Sequence, residues 1–173
     1  MEKNPCIQEL KAFASLPMAP GQKAFFERRL SDAREVRCCA MADVFNPAQI
    51  RFLRKVYHPR KKECYKNASD LVELGPFNGF GKIGEFKYVE GLCCPSGLIP
   101  IEHAFVKVGD LYIDPTFEMA LKEDVSRNYY VSLIEVDWED LAQIQSETGF
   151  YGEIYRYRYV MELEAKRRAK EGR

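Results

Sequence analysis

The chain has 173 residues, enough for one domain with a substantial core and short for two, so residues 1–173 are expected to form a single domain. Hydrophobic residues make up 46% and aromatics 13%, which excludes a disordered chain. Lys and Arg number 26 against 26 Asp and Glu, so no net field draws the chain to nucleic acid or an anionic membrane, and neither is an expected partner.

The N-terminal "MEKNPCIQEL" lacks an apolar signal region, and no stretch approaches the roughly 18 apolar residues of a membrane span. A cytoplasmic protein is expected. The six cysteines include two adjacent pairs, Cys38-Cys39 and Cys93-Cys94, an arrangement poorly suited to a disulfide framework. They read as reduced thiols. No paired Cys-x-x-Cys knuckles occur, so neither a metal nor another cofactor is expected.

Three helices are expected before the strands, the first two of them in a helical part spanning residues 1–60. From Gln22 to Met41, Phe26, Leu30, Ala33, Val36 and Ala40 recur near helical spacing. In "NPAQ", Asn46 suits the cap, Pro47 the first helical position and Gln49 a capping box, with Ile50, Leu53 and Val56 as the apolar stripe. A third helix opens at Cys64, where Cys64, Ala68, Leu71 and Val72 share a face before Gly75 and Pro76 stop it. The glycine-rich "GPFNGFGKIGEF" then reads as the most flexible internal segment.

Cys64 has two readings. A free cysteine commonly serves as a small buried hydrophobe. At a helix start, however, backbone amides and the positive dipole end stabilise a thiolate, and Lys61 and Lys62 act in the same direction.

The segment "HAFVKVGDLYIDPTF" bears on the choice. With Gly109 and Asp110 as a hairpin turn, Val108 pairs with Leu111, Phe105 with Asp114 and His103 with Thr116. Ala104, Val106, Val108, Leu111 and Ile113 then share one face, while His103 and Asp114 become diagonal neighbours about 7–8 Å apart at Cα on the other. A carboxylate there orients the imidazole and stabilises its charged form.

Four segments in order, "CYKNA", "YVEGL", "HAFVKV" and "LYIDPTF", resemble the transglutaminase-like branch of the papain-like cysteine hydrolases. The resemblance spans roughly Cys64 to Phe117, and Phe105 stands where that family usually has tryptophan. It implies an α+β fold in which N-terminal helices and a Cys-bearing helix pack on an antiparallel sheet, with residues 61–138 as the catalytic core. It further implies Cys64 as nucleophile, His103 as general base and acid, and Asp114 as the orienting carboxylate. The implied activity is a cysteine-dependent peptidase or amidase acting on a protein, peptide or other amide through a thioester. A transamidase on the same site and an inactive binding module of the same fold are the alternatives.

The Cys64 backbone N–H is one expected oxyanion donor. No glutamine upstream of Cys64 matches the donor usual in papain-like enzymes, which leaves Tyr57, His58 and Asn67 as side-chain candidates for the second.

In the remaining part, 139–173, "YRYRYVMELEAKRRAKEGR" reads as an edge strand followed by a solvated basic helix. "YYVSLIEVDW" reads as a strand ending in a core-edge Trp138, and Cys93-Cys94 as part of a loop between strands.

Overall fold

A computed structural model describes residues 3–75, 80–96 and 98–171. In chain order it comprises α1 (Pro5–Ser15), α2 (Pro20–Asp32), β1 (Arg34–Val36), α3 (Met41–Val44), α4 (Pro47–Val56), α5 (Cys64–Leu74), β2 (Phe86–Cys94), β3 (Ile101–Val108), β4 (Leu111–Ile113), β5 (Tyr129–Val136), α6 (Trp138–Thr148) and α7 (Ile154–Lys170). The class is α+β. The five strands form one antiparallel sheet in the order β1-β5-β2-β3-β4. No helix among the described residues is long and apolar enough to cross a membrane.

Local chemistry accounts for the two helices nearest the site. Asn46 accepts from the Ala48 and Gln49 amides while the Gln49 side chain accepts from the Asn46 N–H, a closed capping box with Pro47 at the first position. α5 runs from Cys64 to Leu74 and ends at Gly75, as its apolar spacing predicts. Residues 76–79 of the glycine-rich segment lie outside the described residues.

Four expectations need correction. The stretch Gln22–Met41 is not one helix: α2 ends at Asp32, and Arg34, Glu35 and Val36 pair with Ser132, Val131 and Tyr130 as an edge strand. Sheet pairing has overridden a helical periodicity. Cys93 and Cys94 are in no loop, because β2 is paired on both sides out to Cys93↔Ile101 and Cys94↔Tyr129. The "YRYRY" segment is not a strand but the opening of α7, whose amides at Ile154 and Tyr155 are bound by the buried Glu90 carboxylate. The hairpin has the expected Val108↔Leu111 register around Gly109 (φ 57), but its ladder ends at Val106↔Ile113. Pro115 has no N–H to extend it, and Thr116–Leu121 winds into a π-helical turn, so Phe105–Asp114 and His103–Thr116 are not ladder pairs.

The short β4 positions the site. It covers β3 only from Val106 onward, and β2 covers the opposite side of β3. Backbone groups of β3 around Ala104 therefore face an open edge, and the start of α5 occupies it. One face of the sheet (Tyr88, Ala104, Val106) packs with Leu53, Ala68, Leu71 and Val72 beneath α4 and α5. The other (Val89, Cys93, Phe105, Tyr130) packs with Cys38, Phe117 and Val125.

Candidate active site

The three residues expected to act together converge. Cys64 is the first residue of α5 and is half-buried, His103 lies in β3 at 2% exposure, and Asp114 follows β4 with none. His103 Nε2 lies 2.7 Å from Asp114 Oδ2. The imidazole is also close enough to the Cys64 thiol for each group to perturb the other. With Nε2 engaged by the carboxylate, Nδ1 is the ring nitrogen left for sulfur.

Asp114 is held from every side. Oδ1 accepts the Thr116 and Phe117 amides at 3.0 and 3.1 Å, the start of the turn that ends β4. Oδ2 accepts the Tyr130 hydroxyl at 3.0 Å in addition to His103. Tyr130 comes from β5 and in turn accepts from Asn128 Nδ2 at 3.3 Å. A buried carboxylate with this many donors presents a fixed acceptor to the ring.

The electrostatics favour charge separation between sulfur and imidazole. Burial pulls the His103 imidazolium pKa down, but the charge and hydrogen bond of Asp114, with a further contribution from Cys64, raise it to about 10. Burial likewise raises the Cys64 thiol, yet the His103 hydrogen bond and charge, followed by the Ala104 and Tyr65 amides, bring it below its ordinary value. The Ala104 amide belongs to the strand edge that β4 leaves open. The other five thiols, Cys6, Cys38, Cys39, Cys93 and Cys94, all shift upward, in each case chiefly through burial.

No family model, curated protein or solved structure matches the chain.

The oxyanion candidates separate. As the first helical residue, Cys64 has a backbone N–H with no partner inside its own helix, free to face a developing negative charge. Tyr57 and Asn67 are committed elsewhere, which removes them as oxyanion donors. The Tyr57 hydroxyl donates to the Asn67 carbonyl at 2.7 Å, and Asn67 Nδ2 donates to the Arg60 carbonyl at 2.7 Å and Thr116 Oγ1 at 3.0 Å. Asn67 Oδ1 also accepts the Arg60 amide at 2.9 Å. These bonds tie the Cys64 helix to the loop before it and to the turn after Asp114, so both residues hold the nucleophile and carboxylate in mutual register. His58 is exposed, as are Lys61 and Lys62, and the lysines are not among the groups that shift Cys64.

Tyr130, Thr116 and the Ala104 amide are contributors that sequence reasoning missed. The alternation in "YYVSLIEV" places Tyr130 on one sheet face, but only the β5–β2–β3 order brings it to Asp114. Among the described residues, no group of three or more His, Cys, Asp or Glu side chains is disposed to hold a metal. A thiolate beside an imidazolium, at the N-terminus of a helix, can attack an electrophilic carbonyl and protonate the group that departs.

Proposed function

We propose that this protein is a cysteine-dependent acyl-transfer enzyme that cleaves a peptide or other amide bond, with the transglutaminase-like arrangement its sequence resembles. The observation that carries the reading is the convergence of Cys64, His103 and Asp114: the buried ring bonds the carboxylate at 2.7 Å and is coupled to a half-buried thiol at the start of a helix. Cys64 Sγ attacks the amide carbonyl and forms a tetrahedral intermediate whose oxygen faces the Cys64 N–H. His103 gives its proton to the departing amine as the C–N bond breaks, leaving a thioester on sulfur. Water then attacks the thioester carbonyl, His103 takes its proton, and the acid is released as the sulfur leaves as thiolate. Asp114 keeps the ring oriented and supports its positive charge throughout.

Amine release from a library of acyl-peptide amides, measured for the protein and for Cys64→Ala, tests the proposal. The expected result is turnover by the protein and none by the variant, with nearly equal thermal stability because little volume is lost. Equal release by both would reject a nucleophilic Cys64. Products carrying added amine in place of water would assign the site to transamidation.

A further inference from the structure

Two aromatic side chains stand in solvent near the first turn of α5. Phe150 is 70% exposed and Tyr151 45%, both in the short loop between α6 and α7. The loop is anchored in this position. The Tyr88 hydroxyl donates to the Tyr151 carbonyl at 3.3 Å, and the Glu90 carboxylate binds the Ile154 and Tyr155 amides. Gly152 lies flat against the Tyr65 ring, where an added Cβ would come within 2.7 Å. A loop fixed by backbone bonds with its rings turned outward presents a preformed apolar surface.

Between this loop and the first turn of α5 lies a cleft of about 530 Å³, lined by Glu63, Tyr65 and Lys66 on one side and by Phe150, Tyr151, Gly152 and Glu153 on the other. Glu63 and Tyr65 flank Cys64 in sequence, which places the cleft at the helix turn that carries the nucleophile, although Cys64 itself does not line it. Burial and then the charges of Glu90 and Cys64 push the Tyr65 phenol pKa up. The Lys66 ammonium is paired with Asp70 at 2.7 Å and lies over the Tyr151 ring at 4.9 Å, so its charge is already partnered. A ligand entering here meets mainly aromatic faces.

We propose that this cleft is a substrate subsite that takes an aromatic or bulky apolar side chain of the acyl donor, next to the amide attacked by Cys64. The proposal rests on Cys64 being the nucleophile, and it names the class of substrate that the site selects. Two features favour a substrate group as occupant: the cleft is lined by the residues on either side of the nucleophile, and each of its charged side chains has an ion-pair partner, Lys66 with Asp70, Glu63 with Arg60 and Glu153 with Arg156.

The test compares two alkylating reagents, chloroacetamide and N-benzylchloroacetamide, which form the same S–C bond and expel the same chloride. Cys64 labelling is followed by peptide mass spectrometry. The benzyl reagent should label Cys64 at least about tenfold faster and show saturation, the advantage expected of a partly buried apolar group. In Phe150→Ser and Tyr151→Ser, both of which alter exposed side chains, that ratio should fall toward one. Fast labelling by chloroacetamide with no benzyl preference would overturn the subsite and leave the nucleophile standing. A Cys64 inert to both reagents would overturn the nucleophile and the subsite with it. A dimer in sedimentation that dissociates on Phe150→Ser would assign the cleft to a second copy of the chain and overturn the subsite.

Discussion

Asp114 receives His103 and Tyr130 on a single oxygen, Oδ2, at 2.7 and 3.0 Å, while its other oxygen holds the Thr116 and Phe117 amides. Asn at this position has one oxygen for four donors. In Asp114→Asn either the turn or the imidazole loses its acceptor, and the new NH2 group faces other donors. Turnover should fall by about 10²–10⁴-fold, with kcat affected more than KM. Stability should fall by about 1–3 kcal/mol for the unsatisfied buried groups. Steady-state kinetics and urea unfolding check the two effects separately. A change confined to KM would make Asp114 a binding residue.

Gly91, in the "YVEGL" segment, pairs with His103 and lies at an irregularity between β2 and β5. A Cβ on Gly91 would sit 1.9 Å from the Val131 carbonyl oxygen, a backbone atom that cannot swing aside. Gly91→Ala should therefore cost at least about 1–3 kcal/mol by overpacking and should shift the strand that carries His103. Thermal unfolding should show the loss, accompanied by slower Cys64 alkylation. Wild-type stability in this variant would contradict the close approach of β2 and β5.

The buried Glu90 makes a different prediction, for stability against pH. Burial raises its carboxyl pKa to about 7, opposed by the donors at Ile154, Tyr88 and Tyr155. Because the folded pKa lies above the ordinary carboxylate value, the unfolded chain releases the proton first as pH rises. The contribution of Glu90 is thus fully present below the ordinary value and is lost as pH climbs to about 7. Glu90→Gln carries no such titration. Denaturation of both proteins from pH 4 to 8 should show wild type losing ground to the variant across that window. Parallel curves would mean that Glu90 does not titrate there.

The parts of the fold that were legible in the sequence are those whose cause is local. The Asn46-Pro47-Gln49 cap, the Cys64 helix with its stop and the Gly109 turn all depend on neighbours within a few residues. The turn sets the Val108↔Leu111 register, which carries His103 and Asp114 onto adjoining segments and explains why they meet even though the ladder stops short of them. α1 carries the same local signature, with Asn4 accepting from the Cys6 amide around Pro5 at the first helical position. What stayed hidden depends on distant partners. β1 is a strand because β5 lies beside it, α7 begins where Glu90 binds its amides, and the Asn67 side chain is taken up by Thr116 while the Tyr57 hydroxyl is taken up by the Asn67 carbonyl. Nothing near Tyr130 in sequence announces Asp114.

In the proposed resting state His103 holds a proton that Cys64 has given up. Peptide-resolved alkylation of all six cysteines between pH 5 and 9, each normalised to its own rate at high pH, tests it in wild type and in His103→Gln, which keeps a hydrogen-bonding group toward Asp114 without the charge. Cys64 is lowered and Cys39, also half-buried, is raised, so their profiles should separate on the acid side. Cys64 alone should stay reactive below neutral pH in wild type and return to an ordinary thiol profile in folded His103→Gln. A Cys64 profile identical in the two proteins, or no different from that of Cys39, would contradict it.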